Sequence, residues 1–337
     1  MVPVSQGIRD YREPLAGPGV SNPALDGEPG EADAEGVAER RAAAVPTALH
    51  AQRIDKMLVE MAPEFSRSHL QHLLERGHVR LDGAVATASS KRLRAGQSVE
   101  LELVPTAESR AFTPQAMTLD LLYEDHDLLV LNKPAGLVVH PAPGNWSGTL
   151  LNGLLAHHAV AAQLPRAGIV HRLDKDTSGV MMVGKSLAAV TALVRAMAAR
   201  EVQRRYLAIV HGVTPNEVFT VDRPIGRDPV QRVRMAVVAG GRASRTDFKR
   251  LAATQKFTAL SCTLHSGRTH QIRVHLSASG FPLVADTLYG GKPALGLQRQ
   301  ALHATELGLQ HPITGATLRF DCAAPADFQQ AWTALAG

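Results

Sequence analysis

Between two stretches with the composition of a protein interior, this chain places seven residues of which six are polar: His171-Arg172-Leu173-Asp174-Lys175-Asp176-Thr177. Ile169 and Val170 lead in, and Ser178-Gly179 opens onto the uninterrupted apolar run Val180-Met181-Met182-Val183. Such a run after a glycine reads as a strand covered on both faces. A fold that buries it must hold a charged loop against its own core. Surface loops are polar too, but few interrupt a core so abruptly with charges of both signs. Charges on a loop that a rigid scaffold positions are where chemistry concentrates.

The 337 residues suffice for one large domain and a small one. Hydrophobic content of 45% allows a sizeable core, and with only 4% aromatics that core must be aliphatic. Two cysteines, Cys262 and Cys322, give neither a disulfide framework nor a Cys-rich metal site, which fits a reducing compartment. No signal-peptide pattern opens the chain and no apolar run approaches membrane-spanning length, so a soluble cytoplasmic protein is expected. The formal charge is +5, but residues 1–46 carry eight acidic and four basic side chains, leaving +9 for the remainder. A net charge of that sign favours a polyanionic partner and says nothing about fold.

Residues 1–46 are rich in Gly, Pro, Ala, Asp and Glu, and read as a disordered acidic tail. From about Ala48 the pattern changes. Ile54, Met57, Leu58 and Met61 fall at helical spacing. A second helix follows from Ser66, a suitable N-cap, to a stop at Gly77. Val79 to Val85 reads as a hairpin around Asp82-Gly83, and Gln97 to Leu103 alternates like a strand. This module, residues 47–104, carries Arg67, Arg76, Arg80, Lys91, Arg92 and Arg94. Clustered basic side chains suit phosphate contacts, which position RNA without reading its sequence. The competing reading is a small helical cap with solvated charges.

Residues 105–117 look like a linker, with two prolines. Beyond it, two apolar strands flank the acidic turn Glu124-Asp125-His126-Asp127, and Lys133-Pro134-Ala135-Gly136 closes the second. Three acids on such a turn are more often solvated than metal-binding. Leu150 to His157 and Ser186 to Arg200 have helical composition, and Arg204 to Gly212 reads as a strand with Tyr206 near its start. The last distinctive block is Gly267-Arg268-Thr269-His270-Gln271-Ile272-Arg273-Val274-His275. Strand and helix readings of it group its residues differently, and both bring basic side chains together.

His-Arg-Leu-Asp-x-x-Thr-Ser-Gly at 171–179 resembles the signature of the RluA-type pseudouridine synthases, which isomerise uridine within RNA. The likeness runs from about Gln52 to Phe328 and includes Lys133–Gly136, the Tyr206 strand and the whole of 267–275. The small module resembles the S4 RNA-binding domain. One departure is Ala285, where the family usually has glycine, which suggests a slightly different turn.

The resemblance implies an α+β protein: an S4-like module, then a catalytic domain over residues 118–337 with a mixed, mainly antiparallel sheet flanked by helices. It makes Asp174 the catalytic carboxylate, stacks Tyr206 on the target uracil, and gives Arg172 the gap left by the flipped base. An ionised carboxylate in a dry pocket calls for a guanidinium partner. Arg273 is the first choice and Arg268 the second, with His171 beside them at the RNA-facing loop. Arg67, Arg76, Arg80 and Arg92 are the expected RNA contacts of the S4-like module. The implied substrate is large-subunit rRNA, at the stem-loop called helix 69, and a monomer is expected. A tRNA-directed synthase of the same family and a non-catalytic ribosome assembly factor are the alternatives.

Four other chemistries compete with this reading. Gly179–Ser186 satisfies the P-loop expression G-x-x-x-x-G-K-[ST], but wrapping Val180–Val183 around a phosphate would expose a core segment. A zinc deaminase needs His-x-Glu with Cys-x-x-Cys, and a serine hydrolase needs Gly-x-Ser-x-Gly; none of these occurs. The fifteen histidines lack metal-ligand spacing. No metal and no cofactor are expected, since converting uridine to pseudouridine is redox-neutral and conserves every atom.

Overall fold

The computed structural model describes residues 39–104, 111–231 and 233–336, in two compact units divided after Val104. In the first, strand β1 (Glu39–Ala44) precedes helices α1 (Ile54–Met61) and α2 (Arg67–Glu75), then strands β2 (Val79–Leu81), β3 (Ala84–Val85) and β4 (Ser98–Leu103). The sheet order is β1-β4-β2-β3. Ile54, Met57 and Leu58 from α1 and Leu70, Leu73 and Leu74 from α2 bury against Val79, Val99 and Leu101 of the sheet. Asp82 and Gly83 take φ of 52° and 79°, the left-handed pair that a two-residue hairpin requires.

Ser66 caps α2, its Oγ accepting a hydrogen bond from the His69 N–H at 3.3 Å. Ser66→Ala is expected to lower stability by about 1 kcal/mol, visible as a lower urea midpoint with an unchanged slope.

Strand β1 corrects the sequence reading, which placed residues 1–46 in a disordered tail. It pairs antiparallel with β4 from Glu39↔Leu103 to Ala44↔Ser98. Two arginines, a glutamate and three alanines carry no apolar signal, so its order comes from the edge that β4 offers rather than from local pattern. Residues 1–38 of that expected tail lie outside the described residues. The linker also shortens. Residues 105–110 lie outside the described residues, but 111–117 dock on the second unit. Asn152 donates from Nδ2 to the Ala111 and Thr113 carbonyls, and Met117 fills the space over Gly153.

The second unit runs β5 (Asp120–Glu124), β6 (Leu128–Lys133), α3 (Leu150–His157), β7 (Ser178–Gly184), α4 (Leu187–Ala199), β8 (Gln203–His211), β9 (Val218–Asp222), β10 (Ile225–Arg227), β11 (Met235–Val237), β12 (Arg245–Ala253), β13 (Phe257–Leu264), α5 (Gln271–Ala278), β14 (Leu302–Gln310), β15 (Thr317–Asp321) and α6 (Ala326–Ala336). Its main sheet has the order β5-β6-β7-β14-β8-β13-β12-β9, with β15 also on β14. Among the described residues only β7 and β14 pair in parallel, through His303↔Ser178 and Ala304↔Gly179. The sheet is therefore mixed and mainly antiparallel, as expected.

β7 sits in the interior of the sheet, and every one of its residues is buried. This disposes of the P-loop pattern, because the residues between its two glycines are core. Gly179 is required at its position: with φ +118, a Cβ there would lie 2.1 Å from the Ala304 carbonyl oxygen. The parallel partner thus comes close enough to fix where the polar loop ends. At the Ala285 departure the backbone takes φ +60, a left-handed conformation that costs alanine strain and glycine none.

Candidate active site

The loop from His171 to Thr177 is tied down from several directions. Its entry strand bridges β7 through Ile169↔Val183. Leu173 turns inward and is buried. His171 accepts a hydrogen bond at Nε2 from the Met182 N–H, 3.0 Å away. Lys133, fully buried at the end of β6, donates from Nζ to the carbonyls of Pro134, Leu137 and Lys175 at 2.7, 2.9 and 2.9 Å. Burial pushes this ammonium down to about 7, while three carbonyls use all three of its hydrogens. Arg299 donates to the Asp176 carbonyl at 3.0 Å and is itself clamped by Asp327. With so many anchors the backbone at Asp174 has little freedom.

Asp174 faces a cleft of about 800 Å³, a volume suited to a small organic group. Arg273 donates from Nη1 to its Oδ2 at 3.0 Å. The other two arms of that guanidinium grip Asp286, Nε to Oδ2 at 2.8 Å and Nη2 to Oδ1 at 2.9 Å. Burial works against the charge on Arg273, but the two carboxylates more than offset it and hold the guanidinium above its ordinary pKa. Tyr289 lies flat beneath it, with Cζ 5.0 Å from the ring centroid.

A second support reaches Asp174 through His270. The Tyr289 hydroxyl accepts from the Met235 N–H at 3.0 Å and sits 2.8 Å from His270 Nδ1. On its other side the imidazole places Nε2 3.7 Å from Asp174 Oδ1. Burial lowers the pKa of this imidazole, which favours its neutral form beside the carboxylate.

The block at 264–276 resolves into a turn and a helix. His270, in the left-handed conformation at φ 57°, opens α5 and turns Arg273 inward. Gln271 fixes the turn: its Oε1 accepts from Ser266 Oγ and the Arg268 N–H, and its Nε2 donates to the Arg245 carbonyl. Arg268 lines the cleft but directs Nε and Nη2 towards the Ala243 carbonyl, not towards Asp174. Of the two candidate partners only Arg273 meets the carboxylate.

Tyr206 lines the same cleft from β8 and is buried, which raises its phenol pKa. His171 also lines it, and the exposed Arg172 sits at its edge. Asp286, Tyr289 and Lys133 join the site without being among the residues the sequence singles out for it. In the first unit Arg76, Arg80 and Arg92 are exposed. Arg67 is exposed too, but its Nη2 holds the buried Asp55 at 2.7 Å. A groove there is lined by Arg80 and His78 together with Arg40 and Arg41 of β1, two arginines hidden from the sequence reading by its tail.

Several histidines in the second unit are pulled below their ordinary 6.5: His171 to about 3 by burial and then the Arg204 charge, His140 to about 4 by burial and then Arg172. The unfolded chain takes up these protons more readily than the fold does, so stability falls as pH drops below about 6.5. We expect the urea midpoint to decrease between pH 6.5 and 4.5. Carboxylates such as Asp125, held at about 2 by hydrogen bonds against the opposing effect of burial, act only below that window. A flat midpoint across it would contradict this account of the histidines.

Comparison with known proteins agrees with this architecture. Residues 127–278 match the family described as RNA pseudouridylate synthase, and residues 52–99 match the S4 domain. The chain is 44% identical over 308 residues to ribosomal large subunit pseudouridine synthase D of Xanthomonas campestris pv. campestris, covering 88% of this chain and 92% of that protein. It is 45% identical over 302 residues to the protein of the same name from Pseudomonas aeruginosa, covering 86% and 93%. Among solved structures it resembles human RNA pseudouridylate synthase domain containing 4, with TM-score 0.51 and 24% identity over 64% of this chain and 92% of that one.

Proposed function

The chain belongs to the RNA pseudouridine synthases of the RluA type, with an S4 domain preceding the synthase fold, and on that premise we propose that it isomerises uridines of large-subunit rRNA in the helix 69 stem-loop. The observation that carries this reading is Asp174, an acid held 3.0 Å from a buried guanidinium on the wall of a cleft that also contains Tyr206.

The target nucleotide leaves its stack, at a cost of a few kcal/mol, and enters the cleft. A loop uridine is cheaper to extrude than a paired one. Asp174 then serves the sugar, either attacking the anomeric carbon or removing the 2′ proton. Both routes use its charged form, and the Arg273 guanidinium lies 3.0 Å from it. The bond from N1 to the sugar breaks, the uracil turns, and C5 bonds to the same carbon. Tyr206 carries the base through that rotation, and Arg172 occupies the space it left in the RNA. The substrate and product hold the same atoms and electrons, so the reaction consumes no co-substrate.

The S4-type unit supplies phosphate contacts through Arg76, Arg80 and Arg92. Among the described residues no helix is long and apolar enough to cross a membrane. A monomer acting in the cytoplasm, where ribosomes assemble, fits this role.

The test is to incubate the purified protein with unmodified large-subunit rRNA and, separately, with unmodified tRNA, and to map pseudouridine in each by chemical labelling and primer extension. Product in the helix 69 loop is the expected result. Product only in tRNA would move the enzyme to another substrate. RNA binding with no product on any RNA would point to an assembly factor.

A further inference from the structure

Arg204 is the second member of a pair set by strand geometry. In β8 exposed and buried residues alternate from Gln203 to Tyr206, so Arg204 and Tyr206 share a face, and both line the cleft. Arg204 is only 6% exposed, and its Nε is buried without a hydrogen-bond partner. Among the described residues no carboxylate forms an ion pair with it. A buried cation left uncompensated is costly, and structures keep one only where something repays the burial.

The neighbouring groups do not fill that role. Asp174 is engaged by Arg273 on one oxygen and faces His270 on the other. His171 is neutral, being pushed to about 3 by burial and the Arg204 charge. Burial lowers the Arg204 pKa as well, but a guanidinium stays protonated. Gly267 keeps the approach open: a Cβ there would lie 2.7 Å from Arg204 Nη1. The cleft therefore contains a fixed, unpaired positive charge beside the tyrosine.

The proposed reaction generates one anion at that place. When the bond from N1 to the anomeric carbon breaks, its electron pair stays on N1 and spreads over O2 and O4 of the uracil. The sugar carbon is compensated by the Asp174 carboxylate or, after loss of the 2′ proton, by a double bond. The charge disappears once C5 has bonded to that carbon; C5 then releases its proton and N1 gains one, and on the second route the 2′ carbon regains the proton that Asp174 had removed. We propose that Arg204 binds a carbonyl oxygen of the uracil and stabilises the base as it departs as an anion. This rests on the synthase reading above. A backbone phosphate is the other anion that RNA offers. A phosphodiester continues into the chain on both sides, however, and is poorly suited to a group this enclosed, whereas a base beside Tyr206 lies within two residues' reach along the strand, about 7 Å.

The test compares Arg204→Gln and Arg204→Lys with the wild type in single turnovers at saturating rRNA. Binding and melting curves are measured alongside. For Arg204→Gln we expect a 10²- to 10³-fold slower rate with unchanged RNA affinity, and for Arg204→Lys a partial recovery. RNA with 5-fluorouridine at the target supplies a better leaving anion. Consumption of that nucleotide should be slowed less by either variant than reaction of uridine, and this comparison stands on Arg204→Lys alone if Arg204→Gln does not fold. A phosphate contact would instead weaken binding and reduce the salt slope by about one, with the saturated rate unchanged; that result overturns the proposal. So does a wild-type rate in both folded variants. A wild type that forms no pseudouridine overturns the synthase reading itself, and the proposal with it.

Discussion

Asp174→Asn abolishes pseudouridine formation and leaves the folded protein and its RNA affinity in place. The amide has the shape of the carboxylate but is neither a nucleophile for the anomeric carbon nor a base for the 2′ proton. A fall of at least about 10⁴-fold in single-turnover rate is expected on either route. The fold survives because the loop does not depend on the lost charge. Lys133 holds the Lys175 carbonyl, Arg299 holds the Asp176 carbonyl, and Gln300 reaches Thr177 Oγ1 at 3.3 Å. Arg273 retains both of its bonds to Asp286. Binding should tighten slightly, because a negative charge facing RNA has been removed. Rate and affinity are read on the same rRNA. Product at a rate within a hundredfold of the wild type would remove Asp174 from the chemistry.

The parts of this site that were legible in the sequence are those written in consecutive residues. The run Val180–Val183 announces a buried strand, and the charges before it announce a loop held against the core. The helices ending at His157 and near Arg200 follow from composition, the helix after Ser66 from its cap, and the hairpin from Asp82-Gly83. Illegible were the contacts that only the folded chain creates. Asp286 and Tyr289 lie on a turn with no polar run to mark it, yet they hold Arg273 from below. Lys133 looks like a surface lysine at a strand end, and nothing local says that its ammonium is buried among carbonyls. Arg204 was nearer to detection, since alternation around Tyr206 already puts the two on one face. The choice between Arg268 and Arg273 turned on a single left-handed residue, His270, which periodicity does not predict. Strand β1 shows the same limit: its order is lent by β4, a partner far away in sequence.

Removing Asp286 should do more damage to stability than any change in the loop itself. Arg273 is only 6% exposed and Asp286 only 2%, so their two hydrogen bonds are a buried ion pair. Asp286→Ala leaves the guanidinium with Asp174 alone, a partner on its far side that is itself partly open to the cleft. Breaking such a pair from one side typically costs about 3–5 kcal/mol, because the remaining charge stays desolvated. Thermal and urea midpoints should both fall accordingly. Activity should fall as well, for a separate reason. Without its anchor Arg273 swings towards Asp174, and displacing a catalytic carboxylate by about 1 Å can cost roughly 10²-fold in rate. The two effects separate in the double variant Asp286→Ala/Arg273→Met, which removes the stranded charge and fills its volume with an apolar side chain. Replacing a buried pair in this way is often neutral for stability. The double variant should therefore regain most of the lost midpoint while its turnover stays at or below that of Asp286→Ala. If stability and turnover returned together, Asp286 would matter only for the fold, and the line from Asp286 through Arg273 to Asp174 would have no part in positioning the carboxylate.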